Sequence, residues 1–115
     1  MDDCIFCKMS GGEIPVNKIC ENNDFFSILD QNQDIKGHAL IISKKHFETI
    51  LDTPSSLGGE LLNCIKKTFL ELMKDYGVEG FNVLNNNFEV AGQVVKHLHV
   101  HIYPRIEGDE VGGFG

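Results

Sequence analysis

The sequence predicts an α+β domain with a five-stranded antiparallel sheet, one long helix and several short helical turns. Short apolar runs, each bounded by turn-forming residues, predict strands joined mostly by hairpins. One longer region with apolar residues at three- and four-residue spacing predicts the helix. The chain has 115 residues, of which 42% are hydrophobic, enough for one core and too few for two. We therefore expect a single domain over residues 1–115, with a mobile tail at 107–115.

The N-terminal half predicts a short helical piece followed by three strands. The helical piece covers residues 4–12 and ends at the glycine pair Gly11 and Gly12. The strands are expected at 18–21, 25–29 and 38–42. The last of these is continuously apolar, so we expect it to be a central strand of the sheet.

The long helix is predicted to begin after Thr53, its N-cap, with Pro54 as the first helical residue, and to end at Gly77. Its apolar positions are Leu57, Leu61, Ile65, Phe69, Leu72 and Tyr76. Their spacing places them on one face, which we expect to pack on the sheet. A further strand follows at 80–86, and Pro104 is expected to end the last one.

Three histidines alternate with aliphatic residues in that last strand. Because side chains two residues apart on a strand point the same way, ~7 Å apart, we expect a row of imidazoles from His97, His99 and His101. The residues between them should face the core: Leu98, Val100 and Ile102. Such a row indicates a metal site, an acid–base or nucleophile site, or both. The alternative is a solvent-facing strand enriched in histidine by chance.

Charge and hydropathy exclude two classes of partner. The formal net charge of −7 argues against a nucleic-acid-binding surface, which needs clustered Lys and Arg to neutralise phosphates. A small anionic ligand is still compatible if a local pocket of N–H groups and imidazoles binds it. No apolar run approaches the ~20 residues of a membrane span, and no signal peptide precedes Cys4. We therefore expect a cytoplasmic protein with neither nucleic acid nor membrane as partner.

The four cysteines comprise one close pair and two single residues. Cys4 and Cys7 have the Cys-x-x-Cys spacing that lets two thiolates reach one tetrahedral Zn²⁺, whereas Cys20 and Cys64 lie singly in apolar surroundings. Further ligands would come from the five histidines: His38, His46, His97, His99 and His101. Redox chemistry of the close pair is the alternative, although the βαβ context of thioredoxin-like motifs is absent.

An imidazole can also act as a nucleophile on phosphorus and carry a covalent nucleotidyl group. It needs one ring nitrogen free and the other hydrogen-bonded, so that its tautomer is fixed. It also needs donors around the phosphate oxygens. Gly92 and Gln93 could supply backbone N–H groups and an amide, and residues 85–87 are three further amides. A run of asparagines is, however, more often a plain turn.

Together these residues resemble the histidine triad (HIT) family. Residues 97–103 match its signature His-φ-His-φ-His-φ-φ, in which φ is apolar. Other segments typical of the family occur in the expected order: Cys4–Lys8, Gly12–Pro15, Leu29–Asp30, Gly37–Ile42, Asn85–Asn87 and Gly92–Gln93. The resemblance covers residues 4 to about 106 and is closest to the Hint branch, particularly small bacterial Hit proteins.

The resemblance implies a HIT-like fold and a purine nucleotide hydrolase or nucleotidyltransferase. Such an enzyme cleaves at the α-phosphate of AMP derivatives, of the adenosine phosphoramidate type, through a nucleotidyl-histidine intermediate. His99 would be the nucleophile, His101 would contact the phosphate, and His38 would support the triad. A dinucleoside polyphosphate hydrolase is the nearest alternative. From another class, the chain could be a zinc-stabilised nucleotide-binding or scaffold protein with incidental hydrolysis.

The nucleotide-binding residues implied by the same resemblance surround these histidines. Asp30 would bind the ribose hydroxyls, because its carboxylate can accept from both. An apolar pocket formed by Phe6, Ile14 and Ile28 would hold the base of an AMP or GMP derivative. Two amides, Asn86 and Gln93, would lie beside the phosphate, with Gln93 completing the catalytic set of His99, His101 and His38.

Zinc-containing bacterial members of the family also imply a metal site and a partner. Cys4, Cys7, His46 and His97 would bind a structural zinc ion that holds the N-terminal segment on the histidine strand. The family is typically a homodimer, with the long helix and a sheet edge at the interface.

One residue departs from the family pattern. Val94 stands where many members have Ser or Thr, whose hydroxyl helps at the phosphate or the leaving group. Losing that donor could cost about 1–3 kcal/mol of transition-state stabilisation. We therefore expect slow turnover or a different preferred leaving group.

Overall fold

The computed structural model describes residues 3–109, and within them the predicted α+β architecture is confirmed. The helices are α1 (Ile5–Ser10) and α2 (Gly58–Tyr76), and short 3₁₀ turns cover Ile50–Asp52, Ser55–Leu57 and Glu89–Ala91. The strands are β1 (Cys20–Glu21), β2 (Phe25–Leu29), β3 (Ala39–Ser43), β4 (Gly80–Leu84) and β5 (His99–Arg105). They form one antiparallel sheet in the order β1-β2-β3-β5-β4.

The sheet carries the two helices on opposite faces. Successive residues of β2 and β3 alternate between two core clusters, as the two-residue period of a strand requires. Phe25 and Ile41 pack with residues of α2. Phe26 and Ile42 pack with Phe6 of α1. β3 is buried at all five positions, which confirms it as the central strand.

The buried side of α2 differs in part from the predicted stripe. Cys64, Thr68 and Leu72 are its most buried residues, and the Thr68 hydroxyl forms a 2.7 Å hydrogen bond with that of Ser27. Cys64 also contacts Cys20 in the same cluster. Both lie in apolar surroundings, as predicted, and the fold brings them into contact although they are far apart in the sequence.

The N-terminal boundary of α2 was also predicted wrongly. Pro54 precedes a 3₁₀ turn, and the α-helix begins at Gly58. The C-terminal end is as predicted. Gly77 adopts the left-handed conformation with φ of 65° and donates its N–H to Met73.

The last strand begins and ends later than predicted. His97 lies in a bend ahead of β5, which starts at His99. Pro104 lies inside the strand, opposite Phe81 of β4. The pairing of β5 with β3 ends at Ile102, so the missing N–H of Pro104 interrupts no bond to β3.

The C-terminal segment is anchored as far as it is described. Arg105 forms an ion pair with Asp109 at 2.8 Å, and the Ile106 N–H donates to the same carboxylate. Residues 110–115 of the predicted mobile tail lie outside the described residues. Over residues 3–109, neither helix has the length and apolar character needed to cross a bilayer.

Candidate active site

β3 and β5 bring the predicted catalytic histidines to one face of the sheet, the face that α1 covers. His99 is paired with Ile42 of β3, and His101 is paired with Leu40. His38 directly precedes β3 and lies next to His101, with 3.0 Å between its Nε2 and Nδ1 of His101. The alternating pattern therefore places His99 and His101 as neighbours, with ring centroids 5.2 Å apart.

The His99 ring is held by a hydrogen bond to the backbone and by an aromatic contact. Its Nδ1 lies 2.7 Å from the carbonyl oxygen of His97. Because a carbonyl oxygen can only accept, Nδ1 donates this bond, and in the neutral ring Nε2 then carries the lone pair. Phe6 meets the imidazole edge-to-face at 5.1 Å. The arrangement leaves Nε2 as the nucleophilic atom of a ring whose tautomer is fixed.

His38 and His101 form a neutral pair beside Asp30. Burial, with the nearby His99 and His38 rings, lowers the pKa of His101 to about 4. Burial also lowers the pKa of His38, although the Asp30 carboxylate, 3.8 Å from its Nδ1, acts in the opposite direction. Tyr103 stacks on His38 at 4.3 Å. Both imidazoles are therefore neutral near pH 7, and each can donate one N–H.

The amide side chains near His99 play different parts. Gln93 is buried, and its amide accepts from the Phe88 N–H at 2.8 Å and donates to the Glu48 carbonyl at 2.5 Å. Within residues 3–109, the Asn86 amide has no hydrogen-bond partner, and it lies against Gly92, where a Cβ would be 3.6 Å from its nitrogen. Asn86 is thus available to a ligand, whereas Gln93 holds the loop in place.

An apolar cavity of about 220 Å³ lies between α1 and the sheet. It is lined by Ile5, Phe6, Met9, Ile28, Leu29, Asp30, Gln31, Leu40 and Val95. The structure therefore brings together three residues predicted to bind the nucleoside: Phe6, Ile28 and Asp30. Ile14 lines a neighbouring cavity of about 540 Å³ that shares Met9, Ile28, Leu29 and Gln31 with the first.

Sequence reasoning missed several residues of this cavity wall. Ile5 and Met9 stand one residue before and three after Phe6 on α1, so their helical spacing was an available signal. Val95 precedes β5 and faces the cavity from outside the strand. No sequence pattern distinguishes it from Val94, which lies outside this cavity.

The four predicted metal ligands converge at the N-terminal end of α1. The Cys4 sulfur is 3.2 Å from His97 Nδ1, and the Cys7 sulfur is 3.3 Å from His46 Nδ1. The two Nδ1 atoms are 3.2 Å apart. One ligand atom from each of these four residues lies within 4.8 Å of the others, so the group can hold a metal ion.

The donor set and its spacing fit a tetrahedral ion. Zinc with bonds of about 2.3 Å to sulfur and about 2.0 Å to nitrogen places those atoms roughly 3.5 Å apart, close to the observed separations. The Nε2 of His97 lies 2.7 Å from the Ser43 carbonyl oxygen and must donate to it. That bond leaves the Nδ1 lone pair for a metal. Burial lowers the pKa of His97, which keeps the ring neutral and able to bind.

Ser43 is a second-layer residue that sequence reasoning missed. It is fully buried at the end of β3, where its carbonyl orients His97 and its hydroxyl donates to the Lys45 carbonyl at 2.8 Å. That second bond fixes the turn leading to His46. A backbone carbonyl leaves no trace in the sequence, so no signal could have identified it.

A family model described as HIT domain matches residues 11–108. The chain belongs to the HIT family. An uncharacterized HIT-like protein of Methanocaldococcus jannaschii is 47% identical over 97% of this chain and 87% of its own length. An adenosine 5'-monophosphoramidase of Candida albicans is 39% identical over 97% of this chain and 75% of its own length. An adenylylsulfatase of Arabidopsis thaliana is 41% identical over 94% of this chain and 55% of its own length.

Solved structures of HIT proteins have the same fold. A protein from Streptococcus mutans superposes with a TM-score of 0.88 at 41% identity, covering 97% of this chain and 71% of its own. A histidine triad family protein from Mycobacterium smegmatis, described as zinc-bound, gives a TM-score of 0.88 at 29% identity, covering 96% and 81%. Cys4 and Cys7 lie outside the residues that the HIT family model matches.

Proposed function

We propose that this HIT protein hydrolyses phosphoramidate derivatives of purine nucleoside monophosphates through His99. One observation carries the proposal: the His97 carbonyl fixes the tautomer of the His99 ring beside the apolar cavity, so that in the neutral imidazole Nε2 is the atom with the lone pair. The relatives described as adenosine 5'-monophosphoramidases support the substrate class.

The reaction would proceed in two displacements at the α-phosphorus. In the first, the Nε2 lone pair forms a bond to phosphorus, and the bond to the leaving amine breaks as the amine takes up a proton. In the second, water attacks the same phosphorus and releases the nucleoside monophosphate with His99 restored. The proton lost by this water balances the one taken up by the amine.

The neighbouring residues supply binding and charge stabilisation. Asp30 lines the cavity, and its carboxylate would accept from the ribose hydroxyls. His101 and Asn86 would donate to the phosphate oxygens, where negative charge is held throughout the reaction. Gln93 would act by holding the Phe88 backbone and the Glu48 segment in position.

We also propose that Cys4, Cys7, His46 and His97 hold zinc. All four positions of a tetrahedral ion would be filled by protein, so the ion would serve as a structural cross-link and leave no site for water. The zinc-bound HIT protein of M. smegmatis supports this choice of metal.

The test is AMP release from adenosine phosphoramidate by the wild type, His99→Ala and Asp30→Ala. We expect His99→Ala to lose about 10³-fold or more in kcat. Asp30→Ala should chiefly raise KM, because ribose binding is lost. Asp34→Ala removes a carboxylate from the same loop and should behave as wild type.

Each other outcome selects a different function. Full activity of His99→Ala would rule out His99 as the nucleophile. AMP binding without turnover by the wild type would favour a binding or scaffold protein. A higher kcat/KM on diadenosine triphosphate than on the phosphoramidate would favour a dinucleoside polyphosphate hydrolase.

A further inference from the structure

Helix α1 contributes residues both to the proposed zinc site and to the apolar cavity proposed to hold the nucleoside, called the nucleoside cavity below. Cys4 caps the helix, its sulfur accepting from the Cys7 N–H at 3.4 Å. Ile5 and Phe6, the two residues between these cysteines, line the cavity together with Met9. With six residues, α1 is too short to be stable alone. Its position, and with it one wall of the cavity, therefore depends on what holds its two ends.

The two ends of α1 are held differently. At its C-terminal end the Ser10 hydroxyl donates to the Lys44 carbonyl at 2.8 Å. At its N-terminal end the contacts run through the two thiols to His46 and His97. Bonds from a metal to these four side chains would fix the N-terminal end. Without them, that end is held by weak thiol–imidazole contacts and by the packing of Phe6 on the sheet.

His97 makes a second connection between the two sites. Its Nδ1 faces the sulfurs, while its backbone carbonyl accepts the Nδ1–H of His99 at 2.7 Å. Phe6 touches both rings edge-to-face, at 5.7 Å from His97 and 5.1 Å from His99. A shift of the His97 ring would thus move the two groups that hold the His99 imidazole, which are the His97 carbonyl and the Phe6 ring.

We propose that metal binding at Cys4, Cys7, His46 and His97 and nucleotide binding in the α1 cavity are thermodynamically coupled through Phe6 and the His97 carbonyl. The inference rests on the proposed nucleotide and zinc sites. It adds that each ligand raises the affinity of the other by the same factor, as linkage requires.

The test compares AMP binding to the zinc-loaded and the chelator-treated full-length protein by calorimetry under reducing conditions. We expect zinc to tighten AMP binding by at least about fivefold, and saturating AMP to tighten zinc binding by an equal factor. Equal AMP affinity in the two folded forms would overturn the inference while leaving both sites intact. Failure of AMP to bind either form would overturn the proposed function with it.

Two variants of the cavity wall locate the coupling. Ile28 lines the cavity from β2 and is not part of α1, so Ile28→Ala should weaken AMP binding and keep the coupling factor. Phe6→Ala should weaken AMP binding and bring the factor towards one. The same factor in both variants would overturn the route through Phe6.

A second measurement tests the coupling even if the metal-free protein does not fold. Cobalt(II) replaces zinc in such sites and absorbs visible light through its thiolate ligands. AMP added to the cobalt-loaded wild type should change this spectrum, and it should not do so in Phe6→Ala. A wild-type spectrum unchanged at saturating AMP would contradict the coupling without any metal-free form.

Discussion

At the scale of single residues, hydrogen bonding distinguishes the amide side chains that hold the segment 85–93 in place from the one amide that is available to a ligand. Asn85 donates to the His99 carbonyl, Asn87 bonds Asn85 and the Ile50 N–H, and Gln93 bonds two backbone groups. Asn86 stands apart, with no partner in residues 3–109. The sequence predicts that amides gather near the phosphate. Their division cannot be read from it, because it depends on which backbone groups lie within reach.

Val94 gives a prediction about turnover. It is 88% exposed and lines a groove of about 570 Å³ that adjoins the nucleoside cavity through Ile5 and Val95. Val94→Ser would supply the hydroxyl donor that many members of the family have at this position. We expect kcat on adenosine phosphoramidate to rise about tenfold, as one added donor of modest strength would allow, with little change in stability.

The control for this variant is Val94→Ala, which removes the same apolar bulk without adding a donor. A similar rise in both variants would assign the effect to space in the groove. An unchanged or lower kcat in Val94→Ser would contradict the role given to the hydroxyl.

His101 gives a prediction about stability. Its pKa is lowered from an ordinary 6.5 to about 4, so the unfolded chain binds more protons than the folded one between these values. Stability is therefore retained above about pH 6.5 and lost as the pH falls towards 4, by roughly 1–3 kcal/mol for this residue. Urea unfolding at about pH 7 and about pH 4.5 measures the loss.

The comparison variant is His101→Gln, which has no titrating ring. It should lose less stability over the same interval, because the remaining loss comes from other groups. An identical pH dependence in both proteins would show that His101 is not protected from protonation by the fold.

At the scale of elements, the sequence identified the four candidate metal ligands but not the element that joins them to the candidate active site. The Cys-x-x-Cys spacing and the family resemblance indicated the four ligands, which the structure brings within reach of one ion. That α1 carries both thiols and cavity residues follows from the packing of Phe6 among Phe26, Ile28 and Leu40. Long-range packing of this kind has no local signal.

The metal cluster gives a prediction about α1. Cys4→Ser should lower the zinc content measured by mass spectrometry of the metal, and should lower the thermal midpoint, because α1 loses its attachment to His97. Cys64→Ser changes a buried cysteine of the opposite face and should keep the full zinc content. Equal zinc content in wild type and Cys4→Ser would contradict the proposed metal site.

At the scale of the whole molecule, the fold was the most predictable feature. The strands, the single long helix and the central place of β3 all follow from hydrophobic period and turn residues. The pairing order does not, because β5 lies between β3 and β4 in the sheet although it follows β4 in the chain. Only the burial of Leu98, Val100 and Ile102 requires a central position, and several orders would satisfy it.

Apolar side chains of α2 and of the edge strand β4 are exposed, among them Leu62, Met73, Phe81 and Val83. Phe81 stacks on Phe69 of α2 at 4.0 Å, so the two elements meet at this point. We propose that the chain forms a homodimer and that these exposed residues lie in its interface. Val83→Glu should then convert a dimer to a monomer in analytical ultracentrifugation.

Val90→Glu provides the matched control, since Val90 is equally apolar and 98% exposed but lies on the turn at Glu89–Ala91. It should leave the dimer intact. A monomeric wild type would contradict the proposed interface, and so would a dimer that survives the Val83→Glu change.

The position of β5 also has a consequence for synthesis of the chain. Among the described elements it is translated last, yet it lies between β3 and β4 and completes the sheet on which both core clusters pack. The proposed metal ligands are just as widely separated, because Cys4 and His97 are 93 positions apart. Until residues near 105 have emerged from the ribosome, β4 has no partner strand and the thiols have no triad histidine. The strands β1, β2 and β3 can pair with one another before that point, but the native sheet can close only in a late step.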